Sequence, residues 1–307
     1  MIFFYTFVIS IFSIIFLLFI RKEQFHETLR DYGPTWHMNI KKNTPTFGGF
    51  IIITPILIYS LILWTPLSLT FFFCIFSFAI LGFIDDYKKI FFLQKNKRGL
   101  SIELRVFIQC FIALLFSFYL YNTLQISPYL LGYNLGLGII FFWALMFVSS
   151  VNAVNITDGL DGLAAGLCLI TLSSLYFISS HEFFTHNFYF WTIPLIIFLL
   201  FNKNPAKIFM GDTGSIPLGA ILTFFFIITK KELYLIPFGC VFIIETLSDI
   251  IQIFFYRIWK RRFFLMAPFH HHLELKGFKE KNIVWYLYIF QCIVSLLGIV
   301  YEYKIIR

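Results

Sequence analysis

The sequence predicts an all-α, polytopic integral membrane protein of about ten transmembrane helices, and three observations carry that reading. The 307 residues are 59% apolar, 21% aromatic and only 13% charged, whereas about a quarter of a soluble domain is charged. Apolar runs of roughly 20 residues, the length a helix needs to cross the hydrocarbon core, recur along nearly the whole chain. The basic residues are confined to alternate connections. Together these exclude a soluble domain, a disordered chain, a coiled coil and a collagen-like repeat.

In order, the runs cover residues 2 to 20, 47 to 64, 67 to 84, 104 to 121, 137 to 154, 163 to 180, 188 to 201, 214 to 229, 233 to 256 and 283 to 301. The first has no basic residue before it and Arg21-Lys22 after it. That is opposite to a cleaved signal peptide, so it is expected to remain as a helix. The eighth carries Pro217 near its start, where a proline is tolerated.

Net charge is +8, which in a soluble protein would suggest nucleic acid, but here placement matters more than the sum. The connections 21 to 46, 85 to 105, 155 to 162, 202 to 213 and 257 to 282 hold 5, 6, 0, 2 and 7 Lys or Arg, 20 of the 24 in the chain. Only Lys230, Lys231, Lys304 and Arg307 fall on the other side. The positive-inside bias therefore places five loops in the cytoplasm and both termini outside, which in a bacterium is the periplasm or cell exterior. Membrane lipids are the expected surroundings and nucleic acid is not an expected partner.

The outer connections are short, and no 20-to-50-residue repeat or Gly/Ser-rich linker divides the chain, so residues 1–307 are read as one domain. All five cysteines (Cys74, Cys110, Cys168, Cys240, Cys292) sit in apolar runs without CxxC spacing. Neither a disulfide framework nor a zinc site is indicated.

Of seven aspartates, Asp85, Asp86, Asp158, Asp161 and Asp212 fall at the cytoplasmic mouths of the third, sixth and eighth runs. A carboxylate at membrane depth costs about 2.5 to 3.5 kcal/mol and needs a cation, a basic partner or a water-filled cavity. Ion pairing with loop lysines explains any one of them. Five from three segments point further, because gathered like charges raise one another's pKa unless a cation holds them ionised. Mg²⁺ is the natural candidate, since it binds one or two carboxylates together with substrate phosphates.

Asp85 and Asp86 are adjacent, so on a helix their side chains diverge by about 100° and should do different jobs. In Asn152-Ala153-Val154-Asn155-Ile156-Thr157-Asp158-Gly159-Leu160-Asp161-Gly162, Asp158 and Asp161 share a face if the sixth helix has begun its first turn there. Thr157 or Asp158 is then the expected N-cap. Gly159, Gly162 and Gly166 permit close backbone approach.

These segments carry a resemblance. Asp85-Asp86-Tyr87-Lys88-Lys89, the Asn152 to Gly162 run and Phe209-Met210-Gly211-Asp212-Thr213-Gly214-Ser215 are similar to the polyprenyl-phosphate N-acetylhexosamine-1-phosphate transferase superfamily. Met266-Ala267-Pro268-Phe269-His270-His271-His272-Leu273-Glu274 and Thr44-Pro45-Thr46-Phe47-Gly48-Gly49 resemble one branch, the phospho-N-acetylmuramoyl-pentapeptide transferases. The resemblance implies ten helices and Mg²⁺-dependent transfer of phospho-MurNAc-pentapeptide from UDP-MurNAc-pentapeptide to undecaprenyl phosphate. UMP leaves and lipid I forms, the first membrane-bound intermediate of peptidoglycan and so of cell-wall growth, shape and division. It also leaves room for a homodimer.

By the same resemblance Asp212 is a metal ligand, with Asp158 and Asp161 contacting metal and nucleotide. Asp85 is the candidate base toward the polyprenyl phosphate, and Asp86 a supporting or metal-side carboxylate. Lys41, Asn202 and Phe209 are placed near the uridine, where Phe209 can stack on uracil and Asn202 can bond its edge, with Gly159, Leu160 and Asp161 completing the pocket. Lys89, Asn152 and Asn155 are further substrate contacts.

The three histidines, expected on one strand or turn, are read as phosphate or sugar contacts with His270 catalytic, since adjacent imidazoles rarely converge on one zinc. Lys260, Arg261 and Arg262 beside them form a basic rim that can steer an anionic nucleotide or anchor on anionic lipid. Departures from the pattern are Asn43 for Gly, Phe47 for Met, and Glu103 where a phosphate-facing cation is commoner, although Arg98 and Arg105 keep the positive sign.

A sister enzyme using UDP-GlcNAc is the nearest rival, and the His270 to Glu274 motif argues against it. An ion-coupled transporter should carry its site near the midplane of two related halves; here the polar clusters sit at one face. A purely structural subunit leaves five clustered aspartates unexplained.

Overall fold

The computed structural model describes residues 2–23, 44–91, 99–122, 129–130 and 133–306; Lys41, Asn43 and Arg98 lie outside the described residues. All ten apolar runs are helical. In chain order the elements are α1 (Ile2–Glu23), α2 (Gly49–Leu63), α3 (Pro66–Phe91), α4 (Ile102–Asn122), β1 (Tyr129–Leu130), β2 (Tyr133–Asn134), α5 (Gly138–Thr157), α6 (Leu163–Ile178), α7 (Glu182–Thr185), α8 (Phe188–Asn202) and α9 (Asp212–Ile228). A 3₁₀ turn at Glu232–Tyr234 leads into α10 (Leu235–Phe238), α11 (Cys240–Trp259), α12 (Phe269–Leu275) and α13 (Glu280–Ile306). The small antiparallel pair β1–β2, Tyr129 opposite Asn134, lies in a connection for which no strand was expected.

The protein is a predominantly helical membrane protein. By length and composition α3, α4, α5 and α13 can cross a membrane, and the pair bent by 79° around Gly239 makes a fifth if it is one span. Helices α2, α6, α8 and α9 are apolar but shorter, so ten full-length spans are more than these elements establish. The shortening of α6, α8 and α9 has a local cause: each begins or ends in a polar turn of the site described below.

The ninth run, expected as one helix, is broken. Pro237 supplies no backbone N–H and Gly239 ends α10 by donating to the Leu235 carbonyl at 2.9 Å, a recognised cause of a sharp kink. Beyond the break α11 turns Leu247, Ile250, Ile253 and Phe254 outward, each about half exposed, as a lipid-facing surface requires.

At the centre stands α9, every residue of which is buried. It packs chiefly against α3 and α5, with α2 and α6 completing its surround. Its far half is set in aromatic rings: Phe225 lies 5.1 Å from Phe71 and 5.5 Å from Trp191. Its near end, Asp212, is where the polar residues gather.

Candidate active site

The N-terminus of α9 is held by backbone and by one carboxylate. The strap before α2 pairs with the strap before α9: Phe209 N–H donates to Pro45 O (2.8 Å), Gly48 N–H to Phe209 O (2.8 Å) and Gly49 N–H to Met210 O (2.9 Å). Asp86, 1% exposed, accepts the main-chain N–H of Asp212 (3.0 Å) and of Thr213 (2.8 Å) and the Thr213 hydroxyl (2.7 Å). It thus does for α9 what an N-cap side chain does, from another helix. Such closeness needs glycine: a Cβ on Gly82 would lie 2.1 Å from Asp212 O, and one on Gly49 2.3 Å from Gly214 N.

Asp85 turns elsewhere, as the rotation between adjacent helical residues requires. Its Oδ1 accepts Leu100 N–H (2.6 Å) and its Oδ2 lies 2.9 Å from Lys89 Nζ. Lys89 sits among three carboxylates, 2.7 Å from Asp212 Oδ2 and 3.6 Å from Asp86 Oδ1 as well. Arg105 Nη1 adds a second cation, 3.5 Å from Asp212 Oδ2 and 3.8 Å from Asp85 Oδ2. Asn155 on α5 donates to Asp212 Oδ1 (2.7 Å) and Ser215 Oγ (2.9 Å). Asn152, one turn earlier, bonds Gln109 Oε1 of α4 at 2.7 Å. Glu103 is exposed in the first turn of α4, while Arg105 reaches the cluster.

The expected N-cap at Thr157 or Asp158 is not what forms. Helix α5 continues to Thr157, whose hydroxyl bonds back to Ala153 O (2.7 Å), and Asp158 is the C-cap of α5. The turn 158–162 intervenes, and α6 starts after Gly162, whose φ of 83° is one that glycine adopts without strain. Asp158 and Asp161 therefore flank a turn and do not share a helix face. Asp158 is half-exposed, whereas Asp161 is buried, its Oδ2 accepting Asn204 Nδ2 (3.1 Å) and Ala206 N–H (2.9 Å).

Other expected nucleotide contacts are tied into the same turn. The Asn202 amide accepts Gly162 N–H (2.9 Å) and donates to Ile208 O (2.8 Å). Its hydrogen bonds thus join α6 to the strap before α9. Leu160 is 3% exposed. Phe209 is half-buried in the strap, with its backbone engaged by Pro45. Two groups that sequence reading did not single out complete the turn: Glu280 accepts Asp161 N–H (2.7 Å), and the Tyr288 hydroxyl donates to Gly162 O (2.5 Å).

The histidines form part of a helix, α12, and not a strand or turn. They face different partners. His270 is fully buried with Nδ1 3.0 Å from Glu245 Oε2; His271 Nδ1 is 2.7 Å from Glu274 Oε2; His272 Nδ1 accepts Leu265 N–H at 3.1 Å. Burial, with a smaller contribution from Lys276, pushes the His272 imidazole below its ordinary pKa. Gln252 of α11 pins the preceding loop through Phe263 and Phe264 N–H. Lys260, Arg261 and Arg262 are exposed in that loop.

Does this set suit a hard divalent cation? The donors at the mouth of α9 are carboxylate oxygens, the chemistry Mg²⁺ prefers. Among the described residues no three His, Cys, Asp or Glu side chains are grouped to hold a metal, because the carboxylates close around Lys89. A site of one protein carboxylate at Asp212, completed by substrate phosphates and water, fits these residues.

A cavity of about 330 Å³ lies between α5, α9 and the break at Gly239, lined by Phe142, Leu145, Met146, Leu222 and Phe242. Ser149, Ala153 and Val154 of α5 also line it, as does Glu232 at its other end.

Comparison with known proteins places these residues in context. The model of glycosyl transferase family 4 matches residues 68–230. The phospho-N-acetylmuramoyl-pentapeptide-transferase of Oceanobacillus iheyensis is 38% identical, covering 94% of this chain and 93% of its own length. Those of Shouchella clausii (37%; 94% and 92%) and Dictyoglomus turgidum (40%; 89% and 87%) are similar in the same way.

Proposed function

The chain belongs to the phospho-N-acetylmuramoyl-pentapeptide-transferase family, and from that premise we propose how its residues carry the transfer of phospho-MurNAc-pentapeptide from UDP-MurNAc-pentapeptide to undecaprenyl phosphate. A phosphate oxygen of the lipid attacks the sugar-bearing phosphorus, the bond to UMP breaks, and lipid I and UMP result. One diphosphate-type linkage replaces another, so catalysis is chiefly positioning and neutralisation of charge on phosphoryl oxygens.

The observation that carries this reading is the cluster of Asp85, Asp212, Lys89 and Arg105 at the head of α9. Lys89 and Arg105 supply positive charge to an incoming phosphate, and Asp85 holds Lys89 in place and faces the acceptor. Mg²⁺, held by Asp212, would supply charge neutralisation on the donor diphosphate. Asp86 fixes the backbone of Asp212 and Thr213, Asn155 orients the Asp212 carboxylate, and Asp161 with Asn202 shapes the turn that receives the nucleotide. The excess of Lys and Arg in the loops at this end supports a cytoplasmic-face position in a bacterial inner membrane, and the apolar cavity receives part of the polyprenyl chain.

The direct test is Mg²⁺-dependent UMP release by detergent-purified protein given undecaprenyl phosphate and either UDP-MurNAc-pentapeptide or UDP-GlcNAc. Release with the muramoyl donor alone is expected; release with UDP-GlcNAc would move the protein to the sister branch. The cavity has its own test. Ser149→Phe should fill it and raise KM for undecaprenyl phosphate about tenfold, equivalent to losing about two buried methylenes, with KM for the nucleotide unchanged. An unaltered acceptor KM would remove the cavity from the lipid's path.

A further inference from the structure

One buried partner of the histidine segment, Glu245, has no place in the reading so far. Glu245 on α11 and His270 on α12 are both 0% exposed. Glu245 Oε2 lies 3.2 Å from the main-chain nitrogen of His270, whose N–H it accepts, and 3.0 Å from its Nδ1. An oxygen that already accepts one N–H is acting as an acceptor, so Nδ1 carries the proton that completes the second bond. That assignment leaves Nε2 as the working atom of the ring.

Nε2 is buried and has no hydrogen-bond partner. It lies against the turn 158–162: a Cβ on Gly159 would fall 2.3 Å from it, so only the bare backbone of that glycine separates the imidazole from the turn bearing Asp158. A buried polar atom without a partner forfeits its hydration, and unsatisfied groups in otherwise well-satisfied proteins call for a specific explanation. Nothing in the turn satisfies it here.

We propose that Glu245 is a positioning residue that fixes the tautomer and orientation of His270, so that Nε2, packed on the bare backbone of Gly159, is held at the turn bearing Asp158 for an oxygen of the anionic donor substrate. This rests on the transferase reading above and deepens it. The logic is that of a carboxylate behind a working histidine: the carboxylate selects which nitrogen points forward, and when the ring carries a second proton its Nε2–H donates to a phosphoryl or sugar oxygen. No bond is made or broken by the pair, and its contribution is confined to orientation and charge.

The test is a double-mutant cycle in the full-length protein, with UMP release from UDP-MurNAc-pentapeptide as readout and thermal melting in detergent as control. Glu245→Gln should lower kcat by roughly 10- to 100-fold, the scale on which supporting partners of functional histidines act, with KM for the nucleotide within about twofold. His270→Gln should lower it at least as far, and the double variant no further, because Glu245 acts only through His270. A loss in the double variant equal to the product of the single losses would mark Glu245 as a structural group and overturn the proposal. So would a normal kcat in Glu245→Gln.

Should Glu245→Gln fail to fold, the ¹⁵N imidazole shifts of histidine-labelled wild-type protein decide, assigned by difference against His270→Gln. A proton on Nδ1 of His270 is expected, and Nδ1 bare with Nε2 protonated overturns the assignment. Wild-type protein that is folded yet releases no UMP would overturn the transferase reading and this proposal with it. An active wild type with multiplicative losses overturns the pairing alone.

Discussion

Asp212→Asn is expected to cut UMP release about a thousandfold, the scale of removing one preorganised electrostatic group, while leaving the protein folded. Asp212 combines two loads in one side chain. Its Oδ1 takes the Asn155 amide at 2.7 Å, and its Oδ2 takes Lys89 at 2.7 Å with Arg105 at 3.5 Å. An asparagine keeps one oxygen and turns an NH₂ toward either a cation or another amide, so the local charge balance and any divalent-cation site are lost together. The backbone of residue 212 stays capped by Asp86, and the volume is unchanged, so the melting temperature should move by only a few degrees.

The neighbouring change, Asp86→Ala, should behave in the opposite way: it frees two buried main-chain N–H groups and a hydroxyl, each costing about 1–3 kcal/mol, and the fold should suffer first. Paired measurements of melting temperature and UMP release separate the two carboxylates. Near-normal turnover in Asp212→Asn at ordinary Mg²⁺ would sink the site assignment.

That contrast shows what could be read from the chain and what could not. The apolar runs locate the helices because lipid leaves a continuous signal in sequence, and Asp85 and Asp86 are separable in advance because adjacent helical residues diverge. What was not legible depended on partners far away in the chain. The amides that claim Asp86 lie 126 and 127 residues away, and Asn202 meets a glycine 40 residues earlier. Glu245, in an apolar run and 25 residues before His270, carries no motif of its own.

The misplaced N-cap has a physical cause as well. Thr157 and Asp158 are good capping residues, but Thr157 bonds back into α5 and so extends the preceding helix by its own hydroxyl. The break in the ninth run could have been found, because Pro237 and Gly239 stand two residues apart within it; apolar continuity outweighed them in reading the span.

Gly82→Ala is expected to be a severely damaging single methyl, and the reason is what it would strike. Overpacking a core usually costs about 1–3 kcal/mol because side chains rotate or slide away. At Gly82 the added carbon would lie 2.1 Å from Asp212 O, 2.6 Å from its carbonyl carbon and 2.9 Å from Thr213 N, all backbone atoms at the head of a helix buried on every side. They cannot yield without moving α9 away from α3. Such a shift would draw Asp212 and Thr213 off Asp86 and Asp212 off Lys89 at once.

The cost should therefore reach or exceed the top of that range, and activity should fall even in molecules that remain folded. Gly138→Ala is the matched control: at the exposed start of α5 its nearest neighbour is Leu135 Cβ at 4.0 Å, and losing a glycine there should stabilise by about 0.5–1 kcal/mol. Melting of the two variants in the same detergent, alongside UMP release, tests this directly. If Gly82→Ala melts and turns over like Gly138→Ala, the close approach of α3 to the head of α9 does not hold the carboxylates in place, and their geometry must be maintained by the side-chain network alone.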